Sequence, residues 1–176
     1  MSEERKIILR IINDAAQAYK DIIPEDRWKD PYMSINELNE EIKACVKFFG
    51  WKEDEITVGI MGIQAIKDTT LIRHSYVLPT YQRRGIGGKL LAYLLQEAKS
   101  PDILVGTWAA AIWAIQFYEK YGFKLVSTQE KDKLLSIYWD IPERQIETSI
   151  VLKYTKNQNH WSQNIISSDS AKIVEL

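Results

Sequence analysis

Tyr81-Gln82-Arg83-Arg84-Gly85-Ile86-Gly87-Gly88-Lys89-Leu90-Leu91 is the stretch on which the reading of the whole chain turns. Before it lies an apolar run, Leu71 to Leu78, closed by Pro79, which reads as a strand. After it, Ile86, Leu90, Leu91, Leu94, Leu95 and Ala98 recur at helical spacing. Two arginines and three glycines therefore fall where a strand turns into a helix. The backbone N–H groups at such a helix start are unpaired, and the helix dipole is positive there. Glycine lets a ligand approach the backbone, and arginine adds a permanent, forked positive charge. The stretch predicts a bound anion with several phosphates.

Two common phosphate motifs do not fit. A Walker loop needs Gly-Lys followed by Ser or Thr, and Gly88-Lys89 is followed by Leu90. A dinucleotide fingerprint needs a third glycine where Leu90 stands, and no strand with an acidic end follows at the right distance. An ordinary glycine-rich turn with solvated arginines is the plain alternative.

A third pattern fits. Gln82-x-x-Gly85-x-Gly87, preceded by Val77-x-Pro79 and followed by an apolar helix, resembles the acyl-coenzyme A signature of the GNAT superfamily of N-acetyltransferases. Phe117-Tyr118-Glu119-Lys120-Tyr121-Gly122-Phe123 resembles the second signature of that family. The residues agree by themselves: Ala110, Ala114, Phe117, Tyr118 and Tyr121 recur at helical spacing, and Gly122 suits the left-handed residue that ends a helix. Two separate signatures in the right order tell against a chance glycine turn. The resemblance runs from Glu37 to Tyr154 and is strongest from Leu71 to Phe123.

The resemblance implies a fold and a chemistry. The fold is that of acyl-CoA N-acyltransferases, an α/β (α+β) domain with a central mixed, mostly antiparallel twisted sheet flanked by helices. The chemistry is acetyl transfer from acetyl-CoA, the cosubstrate, to a primary amine by direct attack. The backbone at Arg84, Gly85, Gly87 and Gly88 is then expected at the pyrophosphate, with Gln82, Arg83, Ile86 and Lys89 beside it. Tyr76 and Val77 are expected along the pantetheine arm, and their strand is expected to offer an N–H to the thioester oxygen. Tyr118 matches the tyrosine placed near the cofactor sulfur, where a phenol donates a proton to the departing thiolate; its plain role is aromatic packing. The general base is not evident, because Leu71 to Leu78 holds no carboxylate. His74 is the one titratable base there, and a structural histidine is its alternative. Ala111 stands where the family often has an asparagine. With the missing base, it motivates a second reading, a non-catalytic acyl-CoA-binding or sensing module.

Composition narrows the partners. With 45% hydrophobic and 27% charged residues among 176, the chain can bury the core of one domain. A net charge of −1 predicts no broad attraction to nucleic acid or anionic lipid, so Arg83-Arg84 reads as a small local anion site. Cys45 is the single cysteine, read as a small packed residue near a helix end and as consistent with a cytoplasmic location. Ile7 to Ile12 is too short for a leader and is broken by Arg10, and the longest apolar run, Trp108 to Ile115, is too short to span a membrane. His74, His160 and Cys45 show no metal-ligand spacing, so no metal is expected.

Along the chain, Ile8, Ile11, Ile12, Ala15, Tyr19 and Ile22 predict a helix ending before Pro24, and Ser34-Ile35-Asn36-Glu37 predicts a capping box. Val46 to Lys52 and Ile56 to Gln64 read as a hairpin, Ile103 to Thr107 and Phe123 to Thr128 as strands, and Lys131 to Asp140 as a charged excursion, helical or irregular. Alternation from Ile146 to Leu152 predicts a last strand. One domain is expected over 1–155. Residues 156–176 then form a tail, from which Trp161, Ile165 and Ile166 could dock. The family usually begins with a strand, whereas here a helix comes first, so that edge of the sheet is expected to be missing, very short or supplied by the tail. The acceptor, a small-molecule or peptide amine, is expected between the loop joining the first two helices and the excursion before the last strand. Trp28, Tyr32, Tyr138 and Trp139 are its candidate walls, and Glu25, Asp26, Asp140 and Glu143 the candidate acids. A homodimer is open by family analogy.

Overall fold

The structure is a computed structural model that describes residues 2–156 and 172–176. Trp161, Ile165 and Ile166 lie outside the described residues. Helices α1 (Glu3–Ala16) and α2 (Ile35–Lys43) come first, followed by strands β1 (Lys47–Glu53), β2 (Ile56–Ile66) and β3 (Thr69–Val77). Then follow α3 (Ile86–Glu97), β4 (Asp102–Trp108), α4 (Ile112–Lys120), β5 (Lys124–Leu125), α5 (Thr128–Tyr138), α6 (Glu143–Thr148), β6 (Ser149–Thr155) and β7 (Ile173–Glu175). The strands make one seven-stranded sheet in the order β5-β6-β4-β3-β2-β1-β7. Among the described residues, only β3 and β4 are parallel neighbours, and every other pair is antiparallel.

Local chemistry explains most boundaries. Ser2 and Ser127 cap α1 and α5, and Ser34 with Glu37 forms the capping box of α2. Asp54 and Glu55 both adopt positive φ, 46° and 64°, the geometry of a tight hairpin turn. Gly122, at φ 86°, lets the chain leave α4. Leu90, Leu91, Leu94 and Leu95 of α3 pack with Tyr118 and Phe123 on one sheet face. Ile8, Ile11, Ile12 and Leu38, from α1 and α2, pack with Phe48 and Ile60 on the other.

The sheet is not continuous from end to end. β3 pairs with β4 only at Thr70↔Ile103, Leu71↔Leu104 and Ile72↔Val105. Past that point β3 still follows β2 as far as Val77↔Gly59, and β4 still follows β6 as far as Trp108↔Ser149. The two parallel strands therefore part and leave a slot between their C-terminal ends. The bend has a local cause: Ile60 pairs with Tyr76 and Gly62 with Arg73, so His74 and Ser75 together oppose Met61. This is a β-bulge, and His74 sits in it at φ 50°.

Four expectations are corrected. The first helix stops at Ala16, and Tyr19 lies in a short 3-10 helix, Gln17–Tyr19, because Asp21 at φ 63° turns the chain before Ile22. Ile146 and Thr148 belong to α6, which starts after Pro142, and β6 begins at Ser149; two alternating residues are too few to tell strand from a helical turn. Phe123 to Thr128 is strand only at Lys124–Leu125, because α5 begins at Thr128. Cys45 is exposed, at φ 66°, in the turn between α2 and β1. The open question about the edge also resolves: β7 pairs antiparallel with β1, Gly50↔Val174, so residues from the end of the chain supply that strand.

Candidate active site

The start of α3 is left without a partner of its own. Gly85 is its N-cap, at φ 81°, and no side chain caps it. The amides of Ile86, Gly87 and Gly88 come before the first in-helix bond, from Lys89 N–H to the Gly85 carbonyl at 3.1 Å. Arg83 is also left-handed, at φ 60°, so the loop turns sharply just before the helix. The neighbouring side chains brace it. Gln82 Nε2 donates to the Val77 carbonyl at 3.0 Å, and Arg84 donates to the Thr80 carbonyl at 2.9 Å with its guanidinium 4.9 Å from the Tyr81 ring. The Lys89 ammonium lies 4.9 Å from the Trp51 ring. A side chain at Gly87 has ordinary room, its Cβ 3.4 Å from Phe117, whereas a Cβ at Gly88 meets the Tyr121 hydroxyl at 1.8 Å.

On the same sheet face Tyr118 is 4% exposed. Ser75, the second residue of the bulge, lies near enough to its hydroxyl to favour the ionised phenol slightly. Burial pushes the phenol up to about 12, and the Ser75 contact offsets part of that. Tyr118 is therefore a neutral phenol at the lip of the slot throughout the physiological range.

The opposite face of β3 is occupied differently. The Arg73 guanidinium binds both Glu41 carboxylate oxygens, at 2.7 and 2.8 Å, and donates to Gln64 Oε1 at 2.8 Å. His74 Nε2 stands 3.1 Å from Glu41 Oε2, a contact without the alignment of a good hydrogen bond, and the ring stacks on Phe48 at 5.6 Å. Burial pushes the Glu41 carboxyl up, but the contacts with His74 and the Arg73 charge outweigh it and hold the group below its usual range. Burial draws Arg73 down from a value so high that it stays charged, so the pair is ionic at neutral pH. One carboxylate on α2 thus grips both residues on the face-down side of the bulge.

Above the slot on this second face stands an aromatic group. Trp108, the last residue of β4, donates to the Tyr32 hydroxyl at 3.1 Å, and the Tyr32 and Tyr76 phenols lie near enough to shift each other's pKa. Tyr32 therefore stands between the parted ends of the two strands. Tyr19 stacks on Tyr32 at 5.9 Å, meets Tyr76 edge-on at 6.4 Å and contacts Trp113 at 5.4 Å, while Trp28 packs on Tyr32 at 5.6 Å. Burial raises the Tyr19, Tyr32 and Tyr76 phenols, so all three stay protonated.

The residues singled out from the sequence divide between the two faces. Gln82 to Lys89, Val77 and Tyr118 gather on the α3–α4 side, and His74 and Tyr76 face α1 and α2. Trp28 and Tyr32 come together, but Tyr138 does not join them: it donates to Asp68 at 2.8 Å at the far end of β3, and Trp139 packs over Gly106. Asp26 is 3.2 Å from Arg27 and 3.7 Å from Arg144. Sequence reasoning missed Ser75, Glu41, Tyr19, Trp108 and Trp113. Among the described residues there is no group of three or more His, Cys, Asp or Glu that could hold a metal ion, and no helix long and apolar enough to cross a membrane.

Residues 13–137 match the family model described as an acetyltransferase (GNAT) domain. A peptidyl-lysine N-acetyltransferase, YiaC of Escherichia coli K12, is 25% identical over 119 residues, 64% of this chain and 78% of that protein. Among solved structures, the PaiA N-acetyltransferase from Thermoplasma acidophilum in complex with coenzyme A superposes with a TM-score of 0.64 at 18% identity, covering 88% of this chain and 94% of that one. A GNAT family acetyltransferase from Elizabethkingia anophelis with acetyl-CoA bound gives 0.55 at 24% identity, over 76% and 91%. At these identities the structural likeness is one of fold.

Proposed function

Because the chain belongs to the GNAT acetyltransferase family, we propose that it moves the acetyl group of acetyl-CoA onto a primary amine of a small molecule or peptide by direct attack. The slot between β3 and β4 carries this reading: it opens beside uncapped amides on one face and beneath an aromatic platform on the other. The coenzyme A and acetyl-CoA bound in the two solved relatives support the choice of cosubstrate.

The backbone N–H groups of Ile86, Gly87 and Gly88 hold the diphosphate, with Arg83 adding positive charge at the rim. The braces from Gln82 and Arg84 keep the loop in its turn before the ligand arrives. The parted strands take the pantetheine arm, and freed N–H groups of β3 face the thioester oxygen, favouring the tetrahedral state.

The amine nitrogen uses its lone pair to attack the thioester carbon. The carbon–sulfur bond breaks and its electron pair stays on sulfur. Tyr118 hydrogen-bonds that sulfur as charge builds and gives up its proton late, since the phenol is a weaker acid than a thiol; solvent then returns a proton to the phenolate. The amine loses its proton to water at the slot's mouth. His74, held by Glu41, fixes the bulge and not the proton traffic. The family and the Tyr118–Ser75 contact favour catalysis over cofactor binding alone.

The test is thiol release from acetyl-CoA with and without a panel of amines. Amine-dependent release supports the reading; cofactor binding with no stimulation by any amine overturns it.

A further inference from the structure

We infer, resting on the acetyltransferase reading, that the acceptor is a primary amine carrying a bulky apolar group and one carboxylate, as in an apolar α-amino acid, and not a polycation. A cavity of about 430 Å³ opens at the C-terminal end of β4, lined by Ile22, Ile23, Pro24 and Trp108, with Arg144 and Thr148 on its α6 side. It adjoins the slot through Trp108, which lines the cavity and donates to Tyr32, beside Tyr76. Ile22, Ile112 and Trp113 are 45%, 54% and 44% exposed. Ile22 lines this cavity, and Ile112 and Trp113 begin α4 just beyond Ala109 and Ala110, which also line it. Three of the large apolar side chains left open to water thus lie at or beside one opening, where a ligand's apolar group would cover them.

The charge of the lining decides the rest. Arg144 is its only charged side chain among the described residues. A polyamine or aminoglycoside would bring several ammonium groups against an arginine, and the nearest carboxylates, Asp26 and Glu147, are already paired with that arginine. Arg144 Nε is 3.7 Å from Asp26 and Nη1 is 3.3 Å from Glu147, pairs in which every side chain is at least half exposed. Such exposed pairs are weak and exchange readily, so a ligand carboxylate competes for the guanidinium. An apolar group on Ile22, Ile23 and Trp108 with its carboxylate at Arg144 leaves the amine free to turn towards the slot.

The full chain with acetyl-CoA is assayed for thiol release with L-phenylalanine, L-leucine, L-phenylalaninamide and spermidine. L-Phenylalanine is expected to exceed spermidine at least tenfold in kcat/KM. Arg144→Ala should lower kcat/KM for phenylalanine about tenfold, the order expected for one charge-assisted contact, and leave the amide nearly unchanged. Arg144→Lys should restore part of the loss. Ile22→Asp, at an exposed position, should favour spermidine over phenylalanine relative to the unmodified chain. If spermidine is acetylated as well as phenylalanine, or Arg144→Ala affects acid and amide alike, this inference falls while the acetyltransferase reading stands. If coenzyme A binds but no amine is acetylated, both fall.

Discussion

The two faces of β3 solve the same problem in opposite ways. On the α3–α4 face the polar groups are unspent: three amides at the start of α3 have no in-helix acceptor, and the helix has no side-chain cap. On the α1–α2 face the strongest polar groups are spent on each other, Arg73 with Glu41 and Gln64, and Trp108 with Tyr32, while His74 Nε2 and Asn39 Oδ1 stay buried without an aligned hydrogen bond. The contrast teaches where charge is expected from outside. On the proposed reading a phosphate ligand completes the first face, whereas the acceptor's apolar group lies against aromatic and aliphatic side chains at the second.

Replacing Gly87 with Phe is the strongest way to break that contrast. The side chain has room to turn outward past Phe117 and cover the amides, so the fold should survive. Losing two charge-assisted bonds should weaken coenzyme A by about a hundredfold or more. Calorimetric titration checks affinity, and a thermal melt within a few degrees of the unmodified protein checks the fold. Unchanged affinity would remove the loop from the site.

Tyr118→Phe separates binding from chemistry on the same face. Turnover should fall about a hundredfold, the range of one general acid, while coenzyme A affinity holds. Since burial pushes the phenol up to about 12, kcat in the unmodified enzyme should show no alkaline loss from this group below about pH 10. A flat kcat in the variant would return Tyr118 to a packing role.

Glu41→Ala tests the second face through stability. It strands Arg73, 18% exposed, and should cost about 2–3 kcal/mol, less than for a fully buried pair. The Glu41 carboxyl is held low in the fold and returns to its usual range on unfolding. Its contribution is therefore complete above about pH 4.3 and fades as pH falls through the folded value. Urea melts at pH 7 and pH 3.5 should show the variant's deficit shrinking at the lower pH; a constant deficit would mean that the carboxylate charge is not what holds the bulge.

Tyr32→Phe should have the smallest effect. Trp108 Nε1 loses its acceptor at the edge of the slot, at a cost of about 1–2 kcal/mol. KM for the amine should rise with coenzyme A affinity unchanged. Equal losses in both would mean that the bridge shapes the whole slot.

What was legible from the sequence follows the same division. The phosphate loop is one contiguous segment whose glycines, arginines and flanking periodicities all bear on one local geometry, and the Tyr118 helix with Gly122 is another. The order of strands and helices was likewise carried by periodicity and by the caps at Ser34 and Gly122. The slot was not legible, because it depends on a bulge at His74 and Ser75 that no residue type marks, and on β6 holding β4 away. Nothing in the sequence marks Glu41 off from the other acids; Trp108 reads as part of an apolar run, and Tyr19 as a core position of a helix that in fact ends at Ala16. Their meeting is a product of tertiary packing, which spacing along the chain does not encode. The β7 edge was open for the same reason: three residues pair with β1 from the far end of the sequence.

The most direct test of the central claim is a crystal structure of the protein with coenzyme A. The diphosphate should lie within hydrogen-bond distance of the Ile86, Gly87 and Gly88 amides, the pantetheine arm between the parted ends of β3 and β4, and the sulfur beside the Tyr118 hydroxyl. A nucleotide bound elsewhere, or β3 and β4 zipped together with the ligand outside them, would contradict the account.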